Sequence, residues 1–138
     1  MNFSVNNNIN NYQFCELFKI LYLSLHGQDK ALGMNIEFAN AALEQLYLTG
    51  TTNDRKYKRL SKDIIRRYIK VVNYIKAARR IEDLFLIKSL HYERKKGDLK
   101  GVDAVWINDQ YRLLFYTSPD EGGIIVNALL FEISKHYE

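Results

Sequence analysis

The chain has 138 residues, 47% of them hydrophobic and 26% charged, with a net charge of +4; that supplies one buried core and leaves no room for two ordinary domains. A single cysteine, Cys15, excludes an internal disulfide framework and a cysteine-based zinc cluster. No apolar run approaches transmembrane length, and the opening MNFSVNNNINN lacks a basic n-region and an apolar run, so a reducing, cytoplasmic setting without membrane contact is expected.

The asparagine-rich first eleven residues read as disordered. In QFCELFKILYLSL the residues Phe14, Leu17, Phe18, Leu21, Tyr22 and Leu25 recur at helical spacing, which predicts a short amphipathic helix ending at His26-Gly27-Gln28-Asp29. The texture changes at Met34. MNIEFA places Ile36 and Phe38 on one face of a short strand. Asn40 then caps a helix running through Ala41, Leu43, Leu46 and Tyr47 and closed by Gly50. Beyond the polar loop 51–54, a long helix is predicted from about Arg55 or Leu60. Its apolar stripe is Leu60, Ile64, Tyr68, Val71, Ile75 and Ala78, with Lys62, Arg66, Lys70 and Asn73 on the opposite side. Arg79-Arg80 marks a break, and Leu84, Ile87 and Leu90 predict a last short helix over 81–90.

The period then shifts. Residues 91–101 form a basic connector with two glycines, Gly97 and Gly101. Three strand-like runs follow, at 102–107, 111–116 and 124–133, separated by turns at Asn108-Asp109-Gln110 and Pro119 to Gly123. Short turns make these strands antiparallel neighbours. The expected architecture is α+β: an N-terminal strand, two or three helices, then a three-stranded antiparallel meander that the first strand joins. Helices would cover one face of the sheet and leave the other partly open to a ligand.

The charge is strongly segregated. Residues 1–33 are neutral and 34–54 carry −3. Residues 55–100 hold 16 Lys/Arg against 5 Asp/Glu, and 101–138 hold 2 against 6. A field of one sign on part of a small domain is the footprint of a phosphate-bearing partner, although a solvated helix face produces the same count. The three histidines stand far apart, and no HExxH, phosphate loop or dinucleotide glycine pattern occurs. No metal or cofactor is called for. Arg, Lys, His and Tyr on the β half suit phosphodiester chemistry without a metal: cations stabilise charge on the phosphate while His or Tyr moves protons.

The stretch KKGDLKGVDAVWINDQYRLLF, from Lys95 to Phe115, resembles the signature segment of the RelE/ParE toxin superfamily, on its HigB-like branch. MNIEFANAALEQLY, the LHYE before the basic loop and the terminal FEISKHYE resemble the same family, so the resemblance covers Met34 to Glu138. It implies a microbial-RNase-like, RelE-like fold. It implies an endoribonuclease toxin of a type II toxin–antitoxin pair that cleaves mRNA on the translating ribosome without metal and inhibits translation. Its partner would be a helix-turn-helix antitoxin of HigA type. Carried over residue by residue, Arg112 matches the arginine used near the scissile phosphate, with a cross-strand salt bridge as the plain alternative. His136 and Tyr137 fall where the family places a terminal-strand proton carrier, or they are tail residues. His91 matches a histidine that some members use, or is a helix-end histidine. Arg94, Lys95, Lys96 and Lys100 would hold RNA backbone. One departure stands out: Trp106 occupies a position that often carries a basic residue, where it either stacks on a base or belongs to the core. Residues 1–33 have no counterpart in the family pattern and read either as a misassigned start or as an extra docking helix. Two other functions stay open, a gyrase-poisoning toxin of the same fold and a non-catalytic RNA-binding protein.

Overall fold

A computed structural model describes residues 33–136 of the chain; the helix predicted over 13–25 and the candidate residue Tyr137 lie outside them. The elements run β1 (Asn35–Phe38), α1 (Ala41–Thr49), α2 (Lys62–Ala77), α3 (Ile81–Phe85), β2 (Glu93–Arg94), β3 (Asp103–Trp106), β4 (Tyr111–Pro119) and β5 (Ile125–Lys135). Single 3-10 turns sit at Lys88–Leu90 and Gly97–Leu99. One five-stranded sheet has the order β1-β5-β4-β3-β2. The β3–β4–β5 meander is antiparallel, and β1 joins it parallel to β5, pairing Ile36 with Ala128 and Phe38 with Leu130.

The helix boundaries follow local chemistry. The Asn40 carboxamide oxygen accepts the Leu43 N–H at 3.0 Å, and Gly50 ends α1 at φ +75. The Ser61 hydroxyl accepts the Ile64 N–H, which starts α2 at Lys62; residues 55–59 are turns instead of the helix start that the apolar stripe suggests. The Asp83 carboxylate accepts the N–H groups of Arg79 and Arg80, fixing the break ahead of α3. The single helix expected over 81–90 is two pieces, because the chain turns at Leu86 and resumes as a 3-10 turn at Lys88.

The helices bury Leu43, Leu46, Tyr68, Val72, Ile75 and Leu84 against Val105, Leu113, Phe115, Leu130 and Ile133 of the sheet. Each fully buried aliphatic side chain contributes about 1.5–3 kcal/mol, so this layer dominates the stability. A smaller cluster of Val102, Ala104 and Leu114, with Phe131 against it, lies on the opposite face. A bulge in β5 sets this up: Leu114 pairs with Glu132 and Phe115 with Leu130, so Phe131 is the extra residue and stacks on Tyr116 with centroids 4.6 Å apart. Asn73 is buried at 4% exposure and accepts a hydrogen bond from the Tyr47 hydroxyl at 2.8 Å, which corrects its assignment to the solvent face of the long helix.

Candidate functional site

An open cleft of about 1330 Å³ separates α2 from the end of the β3–β4 hairpin. Lys62, Arg66, Arg67 and Lys70 line one wall, and His91, Trp106, Asn108 and Asp109 line the other. Lys62, Arg66 and Lys70 recur at steps of four, and Arg67 lies three residues before Lys70, so one side of α2 presents the four cations together while Tyr68, Val71, Val72 and Ile75 face the core. Asp63 orders this wall: its carboxylate accepts Arg66 Nη2 at 2.6 Å and Arg67 Nε at 2.9 Å. Those bonds, Arg66 first, hold the Asp63 carboxyl below its ordinary value. Four cations against Asp63 and Asp109 make a cleft that concentrates anions. It opens on the helix side of the sheet and not on the uncovered face that the sequence suggested. Side chains of α2 do not fill the space over the hairpin end, whereas the far face carries its own apolar cluster.

The second wall is built around Trp106. His91 follows the 3-10 turn and caps it, its N–H donating to the Lys88 carbonyl at 3.1 Å. Its φ of +42 makes it the one non-glycine residue with left-handed backbone among the described residues, a conformation that costs on the order of 1 kcal/mol or more. The imidazole stacks on the Trp106 indole with ring centroids 3.9 Å apart. Trp106 pairs with Arg112 across β3 and β4, and the Arg112 guanidinium carbon also lies 3.9 Å from the indole centroid. Arg112 is 7% exposed and does not line the cleft. Its Nη1 donates to the carbonyls of Asn108, Asp109 and Tyr111 at 2.7, 3.1 and 3.2 Å. Burial draws its pKa down, and the nearby charges of Asp109 and Glu93 oppose that. The plain alternative for this arginine, a cross-strand salt bridge, is therefore replaced by a different structural contact: it ties the hairpin turn to the indole.

The same turn receives the end of β5. The Asn108 side-chain oxygen accepts the N–H groups of Gln110 and Tyr111, shaping the turn, and the His136 N–H donates to the Gln110 carbonyl at 2.6 Å. His136 is exposed. Four sequence-predicted residues, His91, Trp106, Arg112 and His136, thus converge on one end of the sheet from three separate segments.

The basic connector goes elsewhere. Arg94 donates Nε to Asp103 Oδ1 at 2.9 Å and Nη2 to Asp103 Oδ2 at 3.2 Å. Asp103 is wholly buried and also accepts the Tyr92 hydroxyl at 2.6 Å and the Thr117 hydroxyl at 3.1 Å. Burial and this bond to Asp103 push the Tyr92 hydroxyl well above its ordinary value. Lys95 pairs with Glu93 at 3.3 Å, and Lys96 and Lys100 are exposed. None of Arg94, Lys95, Lys96 and Lys100 lines the cleft. The sequence reading counted Lys62, Arg66 and Lys70 in a basic field suited to a phosphate-bearing partner, but it passed over Arg67 and named none of the four as a site residue. The signal that marks them is their helical spacing beside an aspartate that pairs with two of them.

A family model described as a RelE-like toxin of the type II toxin–antitoxin system HigB matches residues 36–131. Toxin HigB-1 of Vibrio cholerae serotype O1 (strain ATCC 39315 / El Tor Inaba N16961) is 29% identical over 82 residues, which are 59% of this chain and 82% of that protein. Among solved structures, the YoeB/ParE toxin from Agrobacterium tumefaciens superposes with a TM-score of 0.45 at 12% identity, covering 75% of this chain and 100% of the other. The YoeB-YefM complex from Staphylococcus aureus gives 0.41 at 17% identity, covering 75% and 98%.

Proposed function

This chain belongs to the HigB-like family of RelE-like toxins of type II toxin–antitoxin systems, and from that premise we propose that it is a metal-independent endoribonuclease that cuts mRNA on the ribosome. The observation that carries the reading is the cleft in which four α2 cations face the exposed imidazole of His91. The cations would bind the RNA backbone without reading bases. The ribose 2′-oxygen would attack the adjacent phosphorus while a base removes its proton. The bond to the 5′-oxygen then breaks, and an acid returns a proton to that leaving oxygen. Cations beside the phosphate stabilise the charge that develops on it. His91 is the proton carrier that the cleft favours, with His136 and Tyr137 as the further candidates. Arg112 would act by holding the Asn108–Gln110 turn, and the exposed Lys96 and Lys100 would add affinity outside the cleft.

A helix-turn-helix antitoxin of HigA type would neutralise the toxin in the cytoplasm, and residues 1–33 would form an extension that precedes the family domain. Controlled expression tests the reading. Induction is expected to arrest growth and leave cleaved transcripts. His91→Ala is expected to relieve the arrest with folding intact, and Arg67→Glu with Lys70→Glu is expected to weaken RNA binding and flatten its salt dependence. Arrest with intact transcripts and a DNA-damage response would refute the ribonuclease reading. So would RNA binding without arrest.

A further inference from the structure

We infer that Trp106 is a positioning residue: its indole holds the His91 imidazole at the cleft wall, braced by the Arg112 guanidinium. The role in turnover rests on the endoribonuclease reading; the stack itself does not. Two planar groups whose centres each lie 3.9 Å from one indole centroid would collide on a single face. The ring is therefore sandwiched, with imidazole on one side and guanidinium on the other. The indole face attracts the Arg112 guanidinium on one side, packs the imidazole on the other, and keeps the two groups apart.

The parts that hold the sandwich are all specified. Arg112 is fixed by the three turn carbonyls that accept its Nη1. The turn is held by Asn108 and by the Ile107 N–H, which donates to the Tyr111 carbonyl at 2.9 Å. On the other side, the left-handed backbone at His91 aims the ring at the indole. Strain of this kind persists where the surroundings over-determine it. Both faces of the indole are in use, so Trp106 has none left for a nucleobase. This decides between the two roles that its position in the strand leaves open, stacking on a base or serving the protein: it organises the site and does not read RNA. Arg112, buried behind the turn, reaches the site through the same ring.

The test uses the full chain, whose single tryptophan and three histidines keep spectra simple. Proton NMR is expected to show the His91 ring protons shifted upfield by the indole current. Trp106→Ala is expected to abolish that shift, and Trp106→Phe to keep part of it. A short single-stranded RNA oligonucleotide is expected to leave it in place. On ribosome-bound message, Trp106→Ala is expected to lower kcat by about 100-fold, the cost of a small misplacement of a reacting group, with KM nearly unchanged; Trp106→Phe falls between. Loss of the upfield shift on adding RNA would overturn the inference and make the indole a base platform. A raised KM at unchanged kcat would do the same. Absence of the shift in the wild type would show that the stack does not form. If the wild-type protein cleaves no RNA while the shift is present and Trp106-dependent, the enzymatic reading fails and the positioning of His91 stands.

Discussion

Replacing Arg94 by alanine separates a structural cation from an RNA-binding one. The sequence places Arg94 in the basic connector, where a backbone contact is the natural reading, but its guanidinium is engaged with Asp103. Removing it deletes two of the four hydrogen bonds on a carboxylate with 0% exposure. Breaking a buried ion pair from one side costs about 3–5 kcal/mol, chiefly because the remaining charge is left buried. Two facts lower the figure here. Asp103 keeps Tyr92 and Thr117, and the Arg94 side chain is 54% exposed, so solvent already screens part of the pair. A loss of about 2–3 kcal/mol follows, or a drop in Tm on the order of 10 °C for a domain of this size. Urea unfolding followed by circular dichroism measures it. Arg94→Met combined with Asp103→Leu is expected to recover most of the loss, since no buried charge is then stranded. Affinity for single-stranded RNA, measured by fluorescence anisotropy, is expected to change less for Arg94→Ala than for Lys70→Ala. A variant as stable as wild type but several-fold weaker for RNA would refute the reasoning and return Arg94 to the ligand.

Asp63 supplies a pH dependence. Its folded pKa lies below the ordinary value of 3.8 because of Arg66 and then Arg67, so its contribution is complete above about pH 4 and is lost as pH falls through the depressed value. An acid titration by circular dichroism at low salt is expected to show this loss in the wild type and not in Asp63→Asn. Tyr68→Phe removes a hydroxyl that donates to the Leu43 carbonyl at 2.8 Å in the core, and is expected to cost about 0.5–1.5 kcal/mol in urea unfolding. Gly33→Ala puts a methyl 1.8 Å from the Lys76 carbonyl oxygen. The entry of β1 must then shift, at roughly 1–3 kcal/mol, with faster hydrogen exchange at the Met34 amide, which normally donates to the Ala78 carbonyl at 2.9 Å.

Local pattern alone determined most of the element list. Period and capping located β1, α1, the core of α2 and the three long strands, because Asn40, Gly50, Asn108 and the alternating runs act over a few residues. The motif from Lys95 to Phe115 with the terminal His136 also marked the family and one end of the candidate site. What the sequence by itself did not determine is which side chains are already occupied. Arg94 and Asp103 are nine residues apart in the chain and meet only because β2 pairs with β3. Asn73 sits on a charged-looking face, yet Tyr47 of another helix draws it inside. The cations of α2 read as a diffuse basic field, and only the hairpin end placed opposite them makes them one wall of a cleft. Trp106 is the sharpest case. A lone aromatic in a strand gives no sign of its neighbours, and only the approach of His91 from the 3-10 turn and Arg112 from β4 decides that its ring faces are taken. Short-range preferences are written in consecutive residues; the satisfaction of a charge or a ring face depends on partners that folding brings from elsewhere in the chain.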